Sequence, residues 1–319
     1  MDKAVILLNM GAPNNLGEVE LFLKNMFNDE NIITVKNKLL RKFIAFMIVT
    51  SRKKVAIENY KQIGGKSPLL ENTAKLVKKL QEKDNSTLIT FAMRYTPPFS
   101  KDVIDRLKQK DIKEIFLLPL YPQYSTTTTK SSIEEFIKET NKASFKAKIT
   151  FIKRFYKEKE FNEAIVSQIE KESKELNISK TDLIFSAHSL PKKIIQRGDS
   201  YQKEVEEHMQ ILSNMLEKKG IRFNNIHLAY QSKLGPVKWI GPSLEEKLET
   251  ISNKNVLIYP ISFLLDNSET IQELHIEYAD FAKKLGFESY KVCKCLNDDD
   301  KFIDFLHNYY TNNNNLSIL

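Results

Sequence analysis

A histidine closing an apolar run and a row of glutamates at four-residue spacing are the residues of this sequence with the most chemistry to offer. FSAHSLP (185–191) places His188 at the end of an aromatic and aliphatic stretch, with a proline soon after. An imidazole at a strand end can accept a proton near neutral pH or bind a first-row metal, although such a histidine can equally be a satisfied structural group. A serine-hydrolase triad does not fit, because no G-x-S-x-G elbow exists in the chain. Farther on, Glu269, Glu273 and Glu277 follow one another at intervals of four, which on a helix puts three carboxylates on one face. Like charges so arranged are either a wet surface or a ladder of oxygen donors and proton acceptors that raise one another's pKa. Asp266, just ahead of them, suits the start of that helix or the head of the row.

Other signals remove function classes. IGGKS (63–67) resembles the end of a phosphate loop, but the glycine required five residues before Gly65 is Tyr60, and no G-x-G-x-x-G follows a strand. Nucleotide binding is therefore not expected. The net charge of +8 invites a nucleic-acid reading, yet only seven of the 49 basic residues are arginine, and the lysines are interspersed with glutamate. That is a solvated-face pattern, and no nucleic-acid partner is expected. Cys293 and Cys295 cannot form a four-thiolate cluster by themselves, and they suit a reducing compartment. No apolar run approaches the roughly 20 residues that span a bilayer, and the first residues lack the pattern of a cleavable leader. A cytoplasmic protein is expected.

The elements that must position these residues alternate in type. Short β-branched runs at 5–10, 88–95, 115–120 and 148–153 form one set of four strands, and 183–187, 226–231, 256–260 and 289–293 form a second. Amphipathic stretches such as 72–82, 159–174 and 201–218 lie between them, as crossover helices between parallel strands would. The expected fold is α/β, two similar Rossmann-like lobes, each a four-stranded parallel sheet flanked by helices. The first would cover 1–155 and the second 156–319, with the last helix, 299–310, packing back on the first lobe. Ligands gather beyond the carboxyl ends of parallel strands, which marks Met10, Arg94, Tyr95, 121–125, His188, 231–232 and 266–269. Met10, Tyr60, Tyr95, Tyr121, Tyr124, Trp239 and Phe263 would suit a flat aromatic ligand. The segment 39–47 reads first as a buried helix, with an apolar lip or a membrane contact as the alternative.

Nine ordered motifs carry a resemblance to the ferrochelatase family over nearly the whole chain. They are LNMGAP (8–13), YKQIGGKSPL (60–69), MRY (93–95), LYPQYS (120–125), FSAHSLP (185–191), RGDSY (197–201), QSKLGP (231–236), WIGP (239–242) and DNSE (266–269). The resemblance implies a chelatase-like fold holding a porphyrin between its lobes, ferrous iron as the second substrate, no organic cofactor, and protohaem as product. It implies that His188 and Glu269 handle iron and protons, that Glu273, Glu277 and Asp266 continue the relay, and that Met10, Tyr60, Ser67, Arg94, Tyr95, Tyr121, Tyr124 and Trp239 contact the porphyrin. Coproporphyrin III, another metal and tetrapyrrole, or a noncatalytic haem carrier are the alternatives. Two departures stand out: Asn267 occupies a position where many relatives carry a second histidine, and the cysteines are too few for the iron–sulfur cluster of some relatives. The sequence fixes no oligomeric state.

Overall fold

The computed structural model describes residues 1–233, 235–312 and 317–318. Leu234 of the QSKLGP motif and residues 313–315 of the asparagine run lie outside the described residues. Two compact units are present. One comprises Met1–Tyr121, Ser125–Lys153 and the described chain from Ile303 onward; the other comprises Pro122–Tyr124 and Arg154–Phe302.

The first unit is built on strands β1 (Lys3–Asn9), β2 (Leu88–Met93), β3 (Glu114–Pro119), β4 (Lys148–Phe151) and the two-residue β9 (Ser317–Ile318), in the order β2-β1-β3-β4-β9. The second carries β5 (Asp182–His188), β6 (Ile226–Gln231), β7 (Asn255–Tyr259) and β8 (Ser289–Val292), in the order β6-β5-β7-β8. Pairing is parallel within both sets of four expected strands. β9 adds an antiparallel edge to the first sheet, pairing Phe151 with Ser317, where four strands alone were expected.

The central strands are covered on both faces, which is why they read as unbroken apolar runs rather than alternating ones. In β1 all residues from Ala4 to Asn9 are buried, and β5 is buried from Asp182 to Ala187. Helices α1 (Val19–Asn28), α2 (Lys38–Gln62), α3 (Leu69–Lys83), α4 (Ser100–Gln109) and α5 (Ser131–Lys142) belong to the first unit. Val103, Ile104 and Leu107 of α4 and Ile133 and Phe136 of α5 pack with Ile6, Leu8 and Leu117 of the sheet. The second unit holds α6 (Lys159–Ser173), α7 (Lys192–Gln196), α8 (Tyr201–Lys218), α9 (Leu244–Thr250) and α10 (Tyr278–Lys284). Leu244, Leu248 and Tyr278 there close over Ile184, Ala229 and Ile258. The terminal helix α11 (Asp300–Asn312) bonds α3 and the turn after it: Asp304 pairs with Lys83 at 2.7 Å, and the Tyr310 hydroxyl donates to Asp84 at 3.1 Å.

Helix α2 departs from the buried helix expected at 39–47. Its buried residues are Ala45, Val49 and Tyr60, packed with Val19, Leu23 and Phe27 of α1. The apolar residues at 39, 43 and 46 lie off that narrow stripe, so Leu39 is 78%, Phe43 61% and Phe46 63% exposed. Among the described residues no helix is long and apolar enough to cross a membrane.

Candidate active site

β5 delivers His188 at its last position, opposite Gln231 at the end of β6. The imidazole Nδ1 lies 2.8 Å from Glu269 Oε2. With the carboxylate ionised, Nδ1–H donates to it and Nε2 keeps the lone pair. Burial works against a charged imidazolium, but the charge of Glu269 and its hydrogen bond more than offset this, so the His188 pKa is raised above the ordinary histidine value. Burial likewise works against the Glu269 carboxylate, and the same pairing, helped by Ser232, holds its pKa below the usual range. The backbone of His188 is also held: its carbonyl accepts from the Tyr201 hydroxyl at 2.9 Å, and that hydroxyl lies 2.7 Å from Ser262 Oγ beyond β7. The Phe263 ring stands edge-on to the imidazole at 6.4 Å.

Glu269 opens a π-helical stretch, Glu269–Glu277, a wide-turned form that recurs at functional sites. Asn267 starts it, its side-chain oxygen accepting from the backbone N–H of Glu269 at 2.7 Å. The residue that stands where the resemblance places a second histidine thus works as a cap. One turn on, Glu273 accepts from the Ser232 N–H at 2.8 Å, from Gln231 Nε2 at 3.0 Å and from the Ser232 hydroxyl. Its pKa is raised to about 7, first by burial and then by the charge of Glu269.

The carboxylate row is shorter than the spacing suggests. Glu277 is exposed, with Gln272 Nε2 3.5 Å from its carboxylate. Two turns past Glu269, the helix has carried it to solvent. Asp266 is buried and committed elsewhere: its carboxylate accepts from Asn297 Nδ2 at 2.6 Å, the Thr270 hydroxyl at 3.2 Å and the Cys295 N–H at 3.3 Å. Lying before the cap, it packs toward the segment after β8. Among the described residues no group of three or more His, Cys, Asp and Glu side chains is arranged to hold a metal ion, so His188 and Glu269 stand as a pair.

The expected porphyrin contacts divide into half-buried and buried residues. Met10, Tyr124 and Trp239 are half-buried. Trp239 sits on a segment paired with the residues just after His188, through Lys192 N–H to the Lys238 carbonyl at 2.8 Å and Ile240 N–H to the Leu190 carbonyl at 3.0 Å. Tyr124 carries the Arg154 guanidinium over its ring at 5.4 Å. In contrast Tyr60, Ser67, Tyr95 and Tyr121 are buried, Tyr95 to 1% exposure. Tyr60 belongs to the α1–α2 core, Ser67 accepts from Leu69 N–H at 3.3 Å, and the Tyr121 hydroxyl lies 3.3 Å from Ser132 Oγ. Tyr95 donates to Asp29 at 2.9 Å. These four are packed inside the first unit rather than presenting a surface. Arg94 joins the same knot, donating to Asp29 and to Ser131 Oγ, both at 2.9 Å, while the Ser131 hydroxyl donates to Asp29 as well.

Serine 232, Gln231 and Tyr201 are the residues of this site that motif reading left without a role. Their sequence signal was their position: the first two follow a strand, and the third closes RGDSY.

The fold is that of the chelatases. Structures of SirB from Bacillus subtilis with Fe3+ (TM-score 0.56, 9% identity, 98% of this chain and 95% of that one) and of the sirohydrochlorin chelatase SirB from B. subtilis subspecies spizizenii with cobalt (0.56, 10%, 95% and 92%) share it. At the sequence level the family model for ferrochelatase matches residues 2–314. The chain is 54% identical to the ferrochelatase of Sulfurimonas denitrificans over 309 residues, 97% of this chain and 98% of the relative. It is 53% identical to that of Nitratiruptor sp. (97% and 99%) and 45% to that of Helicobacter pylori strain P12 (95% and 91%). The chain belongs to the ferrochelatase family, enzymes of the lyase class.

Proposed function

We propose that the protein inserts ferrous iron into protoporphyrin IX, with release of two protons, to give protohaem, the final step of haem biosynthesis. The observation that carries this reading is the 2.8 Å pairing of His188 with Glu269, backed by Glu273. Metallation needs a base for the two pyrrole N–H groups and donors that strip water from the cation yet release it. In this reading His188 Nε2 takes the pyrrole proton and Glu269 steadies the imidazolium it becomes. Glu273, with its pKa near neutrality, holds a proton without a penalty in either direction. Imidazole and carboxylate are fitting donors for ferrous iron, and so small a donor set leaves the cation free to pass to four tetrapyrrole nitrogens.

Half-buried Tyr124 and Trp239 offer apolar surface for the ring; Met10 is half-buried as well, and Arg94 is tied to Asp29 at 2.9 Å. No organic cofactor is needed, and two cysteines in the whole chain cannot supply the four thiolates of a cluster. A cytoplasmic location belongs to the same reading. So does a reversible membrane contact through α2, where exposed Leu39, Phe43 and Phe46 adjoin Lys38, Arg41 and Lys42.

The test mixes the protein anaerobically with protoporphyrin IX and ferrous iron and follows loss of porphyrin fluorescence, beside Glu269→Gln. Turnover is expected to fall about a hundredfold or more in the variant, with porphyrin affinity preserved. Wild-type protein that binds protoporphyrin without metallating it would defeat the proposal, and metallation of coproporphyrin III alone would move the substrate.

A further inference from the structure

The RGDSY motif (197–201) runs into α8, and its tyrosine begins a buried polar stripe. Tyr201, Glu204 and His208 follow at spacings of three and four, so they share one face of the helix. All three are buried, Glu204 to 3% exposure. A helix packed on a sheet ordinarily turns aliphatic side chains inward, and a carboxylate taken out of water is costly unless it is paired and hydrogen-bonded. Each member of the stripe is committed to a segment outside α8. Tyr201 donates to the His188 carbonyl at 2.9 Å, and His208 Nδ1 lies 2.8 Å from Gln123 Nε2. Glu204 Oε2 accepts from the backbone N–H of Tyr124, the next residue, at 2.8 Å, while its Oε1 takes the Ser200 hydroxyl at 2.6 Å and Arg154 Nε at 3.2 Å. The Arg154 guanidinium in turn stands over the Tyr124 ring at 5.4 Å, within the range of a cation–π attraction. Glu204 thus grips Tyr124 twice, at the backbone directly and at the ring through Arg154. A glutamate one turn into a helix also suits the positive end of its dipole. That role would need no partner beyond α8, whereas Tyr124 lies 80 residues away in sequence.

We propose that Glu204 is a positioning residue for the tetrapyrrole, fixing Tyr124 in place from the same helix turn that holds the His188 backbone. The inference rests on reading Tyr124 as a contact of the porphyrin ring. Glu204 touches neither substrate nor reacting atoms. It acts by ordering Tyr124 before the ring arrives: a tyrosine that is already held has less rotamer freedom to lose on binding. Rotation of its ring would displace the guanidinium that Glu204 anchors, and movement of its backbone would strip a donor from a buried carboxylate. Loss of Glu204 is therefore felt in porphyrin affinity and not in the chemical step.

The test combines Glu204→Ala with Tyr124→Ala and titrates each full-length protein with protoporphyrin IX in the absence of metal, following the porphyrin absorption. Glu204→Ala should raise the Kd about tenfold, the scale of ordering one side chain on binding. In turnover the KM for porphyrin should rise with it, while kcat and the KM for ferrous iron stay within about twofold of wild type. In the Tyr124→Ala background the same change should raise the Kd no further, although it lowers the melting temperature as much as it does in wild type. That split separates positioning from a general loss of stability. Should Glu204→Ala not fold, Glu204→Gln carries the test, because it keeps an oxygen for the Tyr124 N–H and removes the charge that holds Arg154; its smaller rise in Kd should likewise vanish without the Tyr124 side chain. Equal rises in both backgrounds, or a fall in kcat at unchanged Kd, overturn the positioning role. A Tyr124→Ala protein that binds protoporphyrin as wild type does overturns the ring contact and the proposal with it. Wild-type protein that shows the expected Kd pattern without metallation overturns the functional reading alone.

Discussion

His208 on α8 is fully buried, with Nδ1 2.8 Å from Gln123 Nε2 and Nε2 2.8 Å from Asn162 Oδ1. The amides fix its tautomer. Gln123 also donates to the Ile261 carbonyl at 3.1 Å and Asn162 Nδ2 to the Tyr156 carbonyl at 2.9 Å, so the ring accepts at Nδ1 and donates from Nε2. A second proton would set N–H against N–H on a fully buried ring, stacked on Phe161 at 5.7 Å. Burial accordingly pushes the pKa of His208 down to about 3. The unfolded chain takes up a proton at this histidine near its ordinary pKa, and the folded one does not. The stabilising contribution is therefore intact above that value and is lost as the pH falls from it toward 3. By linkage the loss at about pH 5, relative to about pH 7, comes to about 2 kcal/mol. Urea unfolding of the full chain at the two pH values, for wild type and for His208→Gln, isolates it. The variant starts lower, having lost the ring packing, but its further loss in acid should be smaller by that amount. Equal losses in both proteins, or an imidazole resonance of folded His208 that titrates with an ordinary midpoint, would refute the reasoning. Because Gln123 holds the carbonyl next to Ser262, acid should also loosen the support of the His188 backbone.

Other expectations follow from single contacts. Asp29→Ala leaves the Arg94 guanidinium and the Tyr95 and Ser131 hydroxyls facing a vacated site, and chemical denaturation should register a loss of about 3 kcal/mol; a loss below about 1 kcal/mol would show that the knot is dispensable. Gly11 holds φ at +79°, and a Cβ there would sit 2.3 Å from Thr96 Oγ1, so Gly11→Ala should lower the melting temperature and disturb Met10 beside it; an unchanged melting curve would contradict that close approach. Cys293 and Cys295 are buried, with burial raising both thiols well above their ordinary pKa. Iodoacetamide should leave them unmodified until denaturant is added; rapid labelling of the native protein would mean that the strand end opens.

The sheets were legible because two-sided burial writes itself into sequence as unbroken apolar runs such as 4–8 and 183–185. His188 and Glu269 were legible for a different reason: each sits beyond a strand, where a parallel sheet places its ligands, although 81 residues separate them. What could not be read was burial and backbone sign. Tyr95 and Tyr121 follow strands as ring contacts should, yet their hydroxyls are taken up inside by Asp29 and Ser132. Asp266 shares the carboxylate chemistry of the row and is diverted by Asn297, a partner 31 residues away. Nothing in a serine announces a left-handed backbone, so the contacts that Ser232 makes with Glu273 were invisible as such. Asn267 looked like a loss and is a helix cap.

The chain enters the second unit for the three residues Pro122–Tyr124, leaves it, returns at Arg154, and then gives its last helix to the first. This routing has a meaning for synthesis. On a ribosome the unit holding β1 emerges first but cannot be finished at once, because the Asp304 and Tyr310 partners of Lys83 and Asp84 are made 221 and 226 residues later. The unit begun second can complete its own sheet while the earlier one still waits for its final helix. A chain cut short before α11 would then leave its older half, not its younger one, exposed to proteases.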